Sequence, residues 1–461
     1  MPLQKNQVIP LAITGLSSDG NGVGHADGMA VFVPGSAVGD SLNAKVVKTA
    51  KAYAYAKIEQ VVTPSPHRQA MDCPIGSVCG GCCFRHITYE AELEAKRLFV
   101  EDALRRIGKL QAQVLPTVPS PGQARYRNKV QYPVAAAADG GLVYGFYAGR
   151  SHRIVPCNDC LLQPAVLNQI AARAAVLLQQ LGATAYNEET RRGLVRHIYL
   201  RQGHYSGQVM VCIVATQSRL PGAETFAEAL VAEFPCIKTI LVNKNPHNTN
   251  VILGEKNCLL YGSGFIEDSL CNVPVRLGPF SFSQVNTLGA ERLFGLARQF
   301  AALAPGETLV DLYCGAGIIG LSMAQEAKTL IGVEIVPEAV ENARYAAAKM
   351  GLANTRFLCE DAGTAAARFA QEGIRPDVIT LDPPRKGCDA ATLQAVAAMA
   401  PRRIGMVSCN PATLARDLAA LAESRYYAAK VQPVDMFPRT KHVETCVLLS
   451  HKNPQTSPPS L

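Results

Sequence analysis

Thr308-Leu-Val-Asp-Leu leads directly into Tyr-Cys-Gly-Ala-Gly-Ile-Ile-Gly, so an apolar strand runs into Gly315, Gly317 and Gly320 and then into a helical stretch. The spacing G-x-G-x-x-G at a strand-to-helix turn lets the backbone approach a nucleotide-like ligand closely. Such a turn belongs to an alternating strand and helix architecture, and the flanking sequence supplies one. Thr329-Leu-Ile-Gly-Val, Thr355-Arg-Phe-Leu, Asp377-Val-Ile-Thr-Leu and Ile404-Gly-Met-Val-Ser follow in turn, separated by helical stretches. Residues 286–461 are therefore expected to form a doubly wound, Rossmann-like α/β domain with its ligand at the carboxyl ends of the strands. Glu334 closes the second strand, where a carboxylate can accept both hydroxyls of an adenosine ribose. NAD and S-adenosylmethionine both carry that ribose, and the glycine spacing does not choose between them.

The rest of the chain is organised differently. Its 461 residues suffice for about three domains, and 48% apolar with 18% charged residues is an ordinary globular composition. Residues 1–64 read as short β runs, Leu11-Ala-Ile-Thr, Ala30-Val-Phe-Val, Ser41-Leu-Asn-Ala-Lys-Val-Val and Ala54-Tyr-Ala-Lys-Ile, a small antiparallel barrel pattern. Thr63-Pro-Ser-Pro-His then reads as a linker. Residues 65–285 form a mixed α+β stretch with a helix over Tyr89 to Ile107. Within it, Tyr126-Arg-Asn-Lys-Val-Gln-Tyr and Val195-Arg-His-Ile-Tyr-Leu-Arg place basic and aromatic side chains along strands. This composition suits RNA, and it equally suits a solvated strand face. The tail from Lys452 is too polar and Pro-rich to pack.

A net charge of +8 favours a polyanionic partner only weakly. There is no apolar run of transmembrane length, and Met-Pro-Leu-Gln-Lys-Asn lacks a signal-peptide core, so a cytoplasmic protein without a membrane partner is expected. Fifteen cysteines, an odd number without an export signal, imply reduced thiols free for metal or catalysis.

Asp311-x-x-x-Gly-x-Gly, Glu334, Asp361 and Asp382-Pro-Pro-Arg together resemble the class I S-adenosylmethionine-dependent methyltransferases. Carboxylates at successive strand ends suit a ribose, an adenine amino group and a methionine ammonium, although a single Asp there would read as a helix cap. The fifth strand ends Val407-Ser-Cys-Asn-Pro, which puts Cys409 at the cofactor crevice, and Lys441-His-Val-Glu-Thr follows near the C-terminus. With these motifs the domain resembles the 5-methyluridine RNA methyltransferases. The resemblance implies that Cys409 adds to C6 of uracil and that Glu444 removes the C5 proton after methyl transfer. Without it, Cys409 would read as a core thiol and Glu444 as a strand-end carboxylate paired with Lys441. The target base must leave its stack. Gln284, Tyr313, Glu334, Asp361 and Asp382 match cofactor-contacting positions, whereas Ile318 stands where some members have an Asn.

Cys73, Cys79 and Cys82 form a C-x5-C-x2-C run, whose uneven spacing is closer to iron-sulfur ligation than to paired zinc knuckles, with zinc still open on spacing alone. In the ribosomal-RNA branch of the family this motif binds a 4Fe-4S cluster, and the resemblance assigns Cys160 as fourth ligand, with Cys157 and Cys83 as extra thiols nearby. Gly20-Asn-Gly-Val-Gly and Val33-Pro-Gly make residues 1–64 similar to the OB-like TRAM domain. The expected protein is a monomeric RNA uracil-C5 methyltransferase using S-adenosylmethionine and a 4Fe-4S cluster, and TRAM plus cluster point to ribosomal RNA over transfer RNA. An RNA amino-group or ribose methylase, an NAD-dependent oxidoreductase and a non-catalytic RNA-binding factor are the alternatives.

Overall fold

In the computed structural model, which describes residues 3–137 and 140–451, three large sheets divide the chain; the tail from Lys452 lies outside the described residues. The first sheet comprises β1 (Val8–Ala12), β2 (Gly15–Leu16), β3 (Gly22–Ala26), β4 (Met29–Val33), β5 (Ser41–Thr49) and β6 (Tyr53–Thr63), in the order β1-β5-β6-β4-β3-β2. Alternation in β5 turns Leu42, Ala44 and Val46 onto Ile9, Leu11, Val31 and Val33, which fill the interior. One pairing departs from the expected antiparallel pattern. β4 and β6 run parallel, because the long β5–β6 hairpin brings β6 back beside β4 in the same direction. The expected linker is also fixed, since the Asp40 carboxylate accepts from the backbone N–H of Ser65 (2.9 Å) and from the Arg68 guanidinium (2.7 Å).

Helix α1 (Tyr89–Arg106) starts at the Thr88 cap and carries Glu90 and Glu92 in its first turn, where the helix dipole favours negative charge. A seven-stranded sheet follows, built from β7 (Lys129–Ala136), β8 (Leu142–Tyr147), β9 (Ile154–Pro156), β10 (Val195–Gln202), β11 (Val209–Ala215), β12 (Ile237–Lys244) and β13 (Lys256–Gly262), in the order β13-β12-β11-β10-β7-β8-β9. Helices α2 (Ala165–Gln180) and α3 (Ala223–Glu233) cover one face, with Leu167, Ile170 and Phe226 packed on Ile198, Val211 and Ile240.

The basic strand over residues 195–201 is neither an RNA face nor a solvated one. In β10, Arg196, His197, Tyr199 and Arg201 are buried. Arg196 donates to the carbonyls of Asn245 and Thr249, and Arg201 donates to those of Gly278 (3.0 Å) and Ser281 (2.8 Å). Their charges are spent on loop carbonyls inside the protein, which offsets burial. A hairpin of β14 (Ile266–Leu270) and β15 (Val273–Leu277) leads to the last domain.

There α4 (Thr287–Ala301), β16 (Thr308–Leu312), α5 (Ile318–Leu321), β17 (Thr329–Glu334), α6 (Pro337–Lys349), β18 (Thr355–Cys359), α7 (Ala362–Gln371), β19 (Val378–Leu381), α8 (Ala390–Ala398), β20 (Arg403–Ser408), α9 (Pro411–Glu423), β21 (Tyr426–Val434) and β22 (Glu444–His451) follow in sequence. The sheet order is β18-β17-β16-β19-β20-β22-β21. The five parallel strands coincide with the five apolar runs to within two residues. Strand order reverses between β16 and β19, which opens a crevice at their carboxyl ends. Because β22 runs antiparallel to β20, its first residue, Glu444, starts at that same edge.

Candidate active site

The glycine turn is shaped by what surrounds it. Gly315 (φ +55°) and Gly317 (φ +77°) adopt the left-handed region, and Tyr313 beside them does so as well (φ +61°), a conformation that costs a non-glycine residue ~1–3 kcal/mol. At Gly317 a Cβ would lie 3.0 Å from the Phe357 ring, whereas at Gly315 it would meet only open space. Asp311 braces the turn from within. It is 1% exposed and accepts from the Thr380 hydroxyl (2.6 Å) and the Gly320 N–H (3.1 Å). Burial pushes its carboxyl up to about 6 against the pull of those donors.

Tyr313, Glu334, Asp361 and Asp382 follow or close the parallel strands at this edge, whereas Gln284 lies before α4. Glu334 accepts from the N–H groups of Gly315 (3.0 Å) and Val336 (2.9 Å), which fixes its carboxylate against the glycine turn. Asp361 caps α7 through Oδ1, bonded to the Thr364 N–H (3.0 Å), and its Oδ2 has no hydrogen-bond partner among the described residues. The cap and an open acceptor thus coexist in one side chain. Tyr313 is half-buried, its phenol near Cys388 and Thr392, and burial raises its pKa. Gln284 is held through its backbone, its carbonyl accepting from Asn128 Nδ2 (3.1 Å), on the segment that Arg201 clamps. Asp382 accepts no side-chain hydrogen bond from a described residue, and desolvation with the nearby Asp311 raises it to about 7.

Cys409 and Glu444 meet at the crevice. Ser408 of β20 pairs with Thr445 of β22, so the residue after one and the residue before the other sit together. Glu444 is 5% exposed; burial drives its pKa well above the carboxylate range, Asp382 adds to the rise, and Arg385 opposes it. The Cys409 thiol is raised by burial first, then by Glu444, while Arg385 lowers it. One cation and two carboxyl groups therefore act on one thiol. Lys441 is not the partner of Glu444, for its ammonium pairs with Asp19 of the barrel at 2.6 Å. Arg385 has no role in the sequence reading, although it stands in the quoted Asp382-Pro-Pro-Arg run; its cue was a cation directly after a rigid turn at a strand end.

The cysteine run folds beside β8. Gly80 N–H donates to the Tyr147 carbonyl (3.0 Å), and Arg85 pairs with Asp72 (2.7 Å). Cys79 is close enough to Cys73 and Cys160 for their charges to act on it, and Cys82 likewise to Cys79 and Cys160. Cys157 lies beside Cys160, and Cys83 instead packs on Gly20 of the barrel. Among the described residues, no group of three or more His, Cys, Asp or Glu side chains has metal-ligating geometry.

Comparison with known proteins matches this layout. The pattern of the tRNA (uracil-5-)-methyltransferase family fits residues 272–452, and that of the TRAM domain fits residues 2–58. A protein of Halalkalibacterium halodurans named an uncharacterized RNA methyltransferase is 42% identical over 453 residues, 98% of this chain and 99% of its own length. One from Bacillus cereus, of the same description, is 39% identical over 450 residues, 97% of this chain and 98% of its own. The crystal structure of the Pyrococcus abyssi tRNA (uracil-54, C5)-methyltransferase in complex with S-adenosyl-L-homocysteine superimposes with a TM-score of 0.75 at 26% identity, covering 96% of this chain and 100% of that one.

Proposed function

This chain belongs to the RNA uracil-5-methyltransferase family, and from that premise we propose that it methylates C5 of a uridine in RNA with S-adenosylmethionine, using Cys409 as nucleophile and Glu444 as base. The observation that carries the reading is the β20–β22 register, which sets a thiol and a buried carboxyl side by side at the mouth of a nucleotide crevice.

The acceptors left open at the crevice fit the cofactor. Asp361 Oδ2 and the Asp382 carboxyl have no described hydrogen-bond donor, and a Cβ at Gly315 would meet nothing. Glu334, Asp361, Gln284, Tyr313 and Asp382 would hold it. When bound, S-adenosylmethionine supplies an electrophilic methyl group.

The protein's part is then as follows. Cys409, as thiolate, forms a bond to C6 and pushes electron density onto C5, which is otherwise too weak a nucleophile. Arg385 favours that thiolate. After C5 has acquired its methyl group, Glu444 takes the C5 proton; the electron pair re-forms the C5–C6 double bond and the C6–S bond breaks, which returns the thiolate. Desolvation raises Glu444 toward the basicity this step needs.

Cys73, Cys79, Cys82 and Cys160 would hold a 4Fe-4S cluster; the reading is supported by the C-x5-C-x2-C run and by Cys160, from a second segment, lying near both Cys79 and Cys82, although the described side chains are not gathered in ligating geometry. The cluster would staple those segments together, and no step of methyl transfer passes through it. Phe32, Tyr53 and Tyr55 form an aromatic patch on the barrel, with Arg150 of the central domain over Tyr55, a surface suited to unstacked bases.

Ribosomal RNA is the proposed substrate on the resemblance of the cysteine run to that of the ribosomal-RNA branch; the barrel does not decide, since a tRNA enzyme superimposes over 96% of this chain. The likeness to a tRNA enzyme over 96% of the chain favours transfer RNA as the second reading. Methyl-labelled S-adenosylmethionine, offered with large-subunit ribosomal RNA or with transfer RNA followed by nucleoside digestion, tests both. Label in 5-methyluridine of ribosomal RNA is expected; label confined to transfer RNA overturns the substrate, and label in any other nucleoside overturns the chemistry.

A further inference from the structure

Glu444 reaches the crevice at the end of residues 435–443, the connection from β21 to β22. Connections of this kind normally run over the surface. This one is largely buried, with Asp435 and Met436 at 0%, Val443 at 2%, Thr440 at 6% and Arg439 at 9% exposure.

It is held by a charged cluster that the proposed chemistry does not use. From α1, Lys96 Nζ donates to Asp435 Oδ1 (2.6 Å), Glu92 Oε1 (2.7 Å) and the Phe437 carbonyl (3.2 Å). Glu92 Oε1 accepts from the Arg439 N–H (2.7 Å), and the Tyr89 hydroxyl donates to Asp435 Oδ2 (2.7 Å). The Glu92, Lys96 and Asp435 side chains have no exposure at all. Buried ion groups are seldom a gain over apolar packing, and their best-attested use is to fix one arrangement against alternatives.

The same segment gathers the other two domains. The Arg439 carbonyl accepts from the N–H groups of Cys83 (2.9 Å) and Phe84 (3.1 Å), directly after the cysteine run. Tyr126 donates to the Pro438 carbonyl (3.0 Å), and Lys441 pairs with Asp19 of the barrel. Every tie on the segment therefore bears on where the chain enters β22, whose first residue is Glu444.

We propose that Glu92, Lys96 and Asp435 are positioning residues for the base: they lock residues 435–443 so that the Glu444 carboxyl faces C5 of the covalent adduct, and Arg439 ties that lock to the cysteine loop. This rests on the reading of Cys409 and Glu444 given above. Its consequence is specific to one step. Adduct formation and methyl transfer need Cys409 but not a correctly aimed base, whereas proton removal and release of the thiol need Glu444.

The test uses the full-length protein with RNA carrying 5-tritiated uridine, and reads tritium release and SDS-stable protein–RNA adduct separately. In Asp435→Asn, which keeps the side-chain shape and takes one charge from Lys96, release is expected to fall roughly 10- to 100-fold, the scale of a misplacement of about 1 Å. Methylated adduct should accumulate, as in Glu444→Gln, with affinity for S-adenosylhomocysteine unchanged. Tyr89→Phe, which removes one hydrogen bond from Asp435, should move both readouts the same way by less, and it decides the matter if Asp435→Asn does not fold. If Glu444→Gln traps adduct while Asp435→Asn and Tyr89→Phe lose adduct and release in parallel, the positioning role is overturned and the function stands. If Glu444→Gln traps none, the base assignment fails and takes the proposal with it.

Discussion

Replacing Gly317 by Ala and, separately, Gly315 by Ala should weaken cofactor binding by different amounts. Both glycines have left-handed backbones, at φ +77° and +55°, which cost an L-residue about 1–2 kcal/mol. A variant turn relaxes out of that conformation when free and must be driven back into it on binding, so the cost is charged to affinity. At Gly315 a new Cβ meets no atom within 4 Å, and only the backbone cost applies. The expected loss there is about 5- to 30-fold in Kd, at roughly 1.4 kcal/mol per tenfold. At Gly317 the Cβ would also press on Phe357 (3.0 Å), Ala343 (3.2 Å) and Leu321 (3.2 Å). Overpacking adds at least about 1–2 kcal/mol, so the total of roughly 2–4 kcal/mol predicts a 30- to 700-fold loss. Calorimetric titration with S-adenosylhomocysteine measures both. Equal losses, or a greater loss at Gly315, would refute the argument that the packing beneath the turn sets its shape.

Arg385→Gln removes the cation that lowers both Cys409 and Glu444; both groups must be deprotonated to act, so the rising limb of the pH–rate profile should move to higher pH, with the rate recovered there. An unmoved limb would mean that Arg385 does not face the reacting groups. Arg201→Met strips the Gly278 and Ser281 carbonyls of charge-assisted donors worth about 1.5–3 kcal/mol each, and should lower the thermal midpoint and raise KM for S-adenosylmethionine through Gln284. In the barrel, Tyr53→Ala should weaken RNA binding by about 1–3 kcal/mol in a filter-binding titration while leaving S-adenosylhomocysteine affinity alone. Cys79→Ser should lower the iron content and thermal stability of anaerobically purified protein together; full folding and RNA affinity with methyl transfer abolished would show that the cluster does more than staple.

Where sequence and structure part company, the cause is a partner far away in the chain. Strands β16, β19 and β20 were legible because they are buried on both faces and read as continuous apolar runs, whereas β18, at the sheet edge, buries only Phe357 and was legible from its place in the strand and helix alternation. The doubly wound pattern was enough to expect a ligand crevice at the carboxyl ends of the strands, and the motifs supplied the candidate residues there. Strand β10 was not legible in the same way, for nothing local distinguishes an arginine facing solvent from one spent on carbonyls at residues 245–249 or 278–281. In α1, Leu93, Leu98, Val100, Leu104 and Ile107 fall near helical spacing, yet Leu98 and Ile107 are 42% and 52% exposed while Glu92 and Lys96 are buried. That inversion depends on Asp435, which lies 339 positions beyond Lys96. Lys441, three residues before Glu444 and its obvious partner by proximity, is claimed by Asp19 of the barrel.

The central claim is that one thiol activates C5 of uracil and one carboxyl takes its proton. Tritium release from RNA bearing 5-tritiated uridine, with S-adenosylmethionine present, tests it directly. Release by the native protein, abolished in Cys409→Ala and strongly reduced in Glu444→Gln, is the predicted result. Transfer of methyl groups to RNA without tritium release, or release that survives Cys409→Ala, would contradict it.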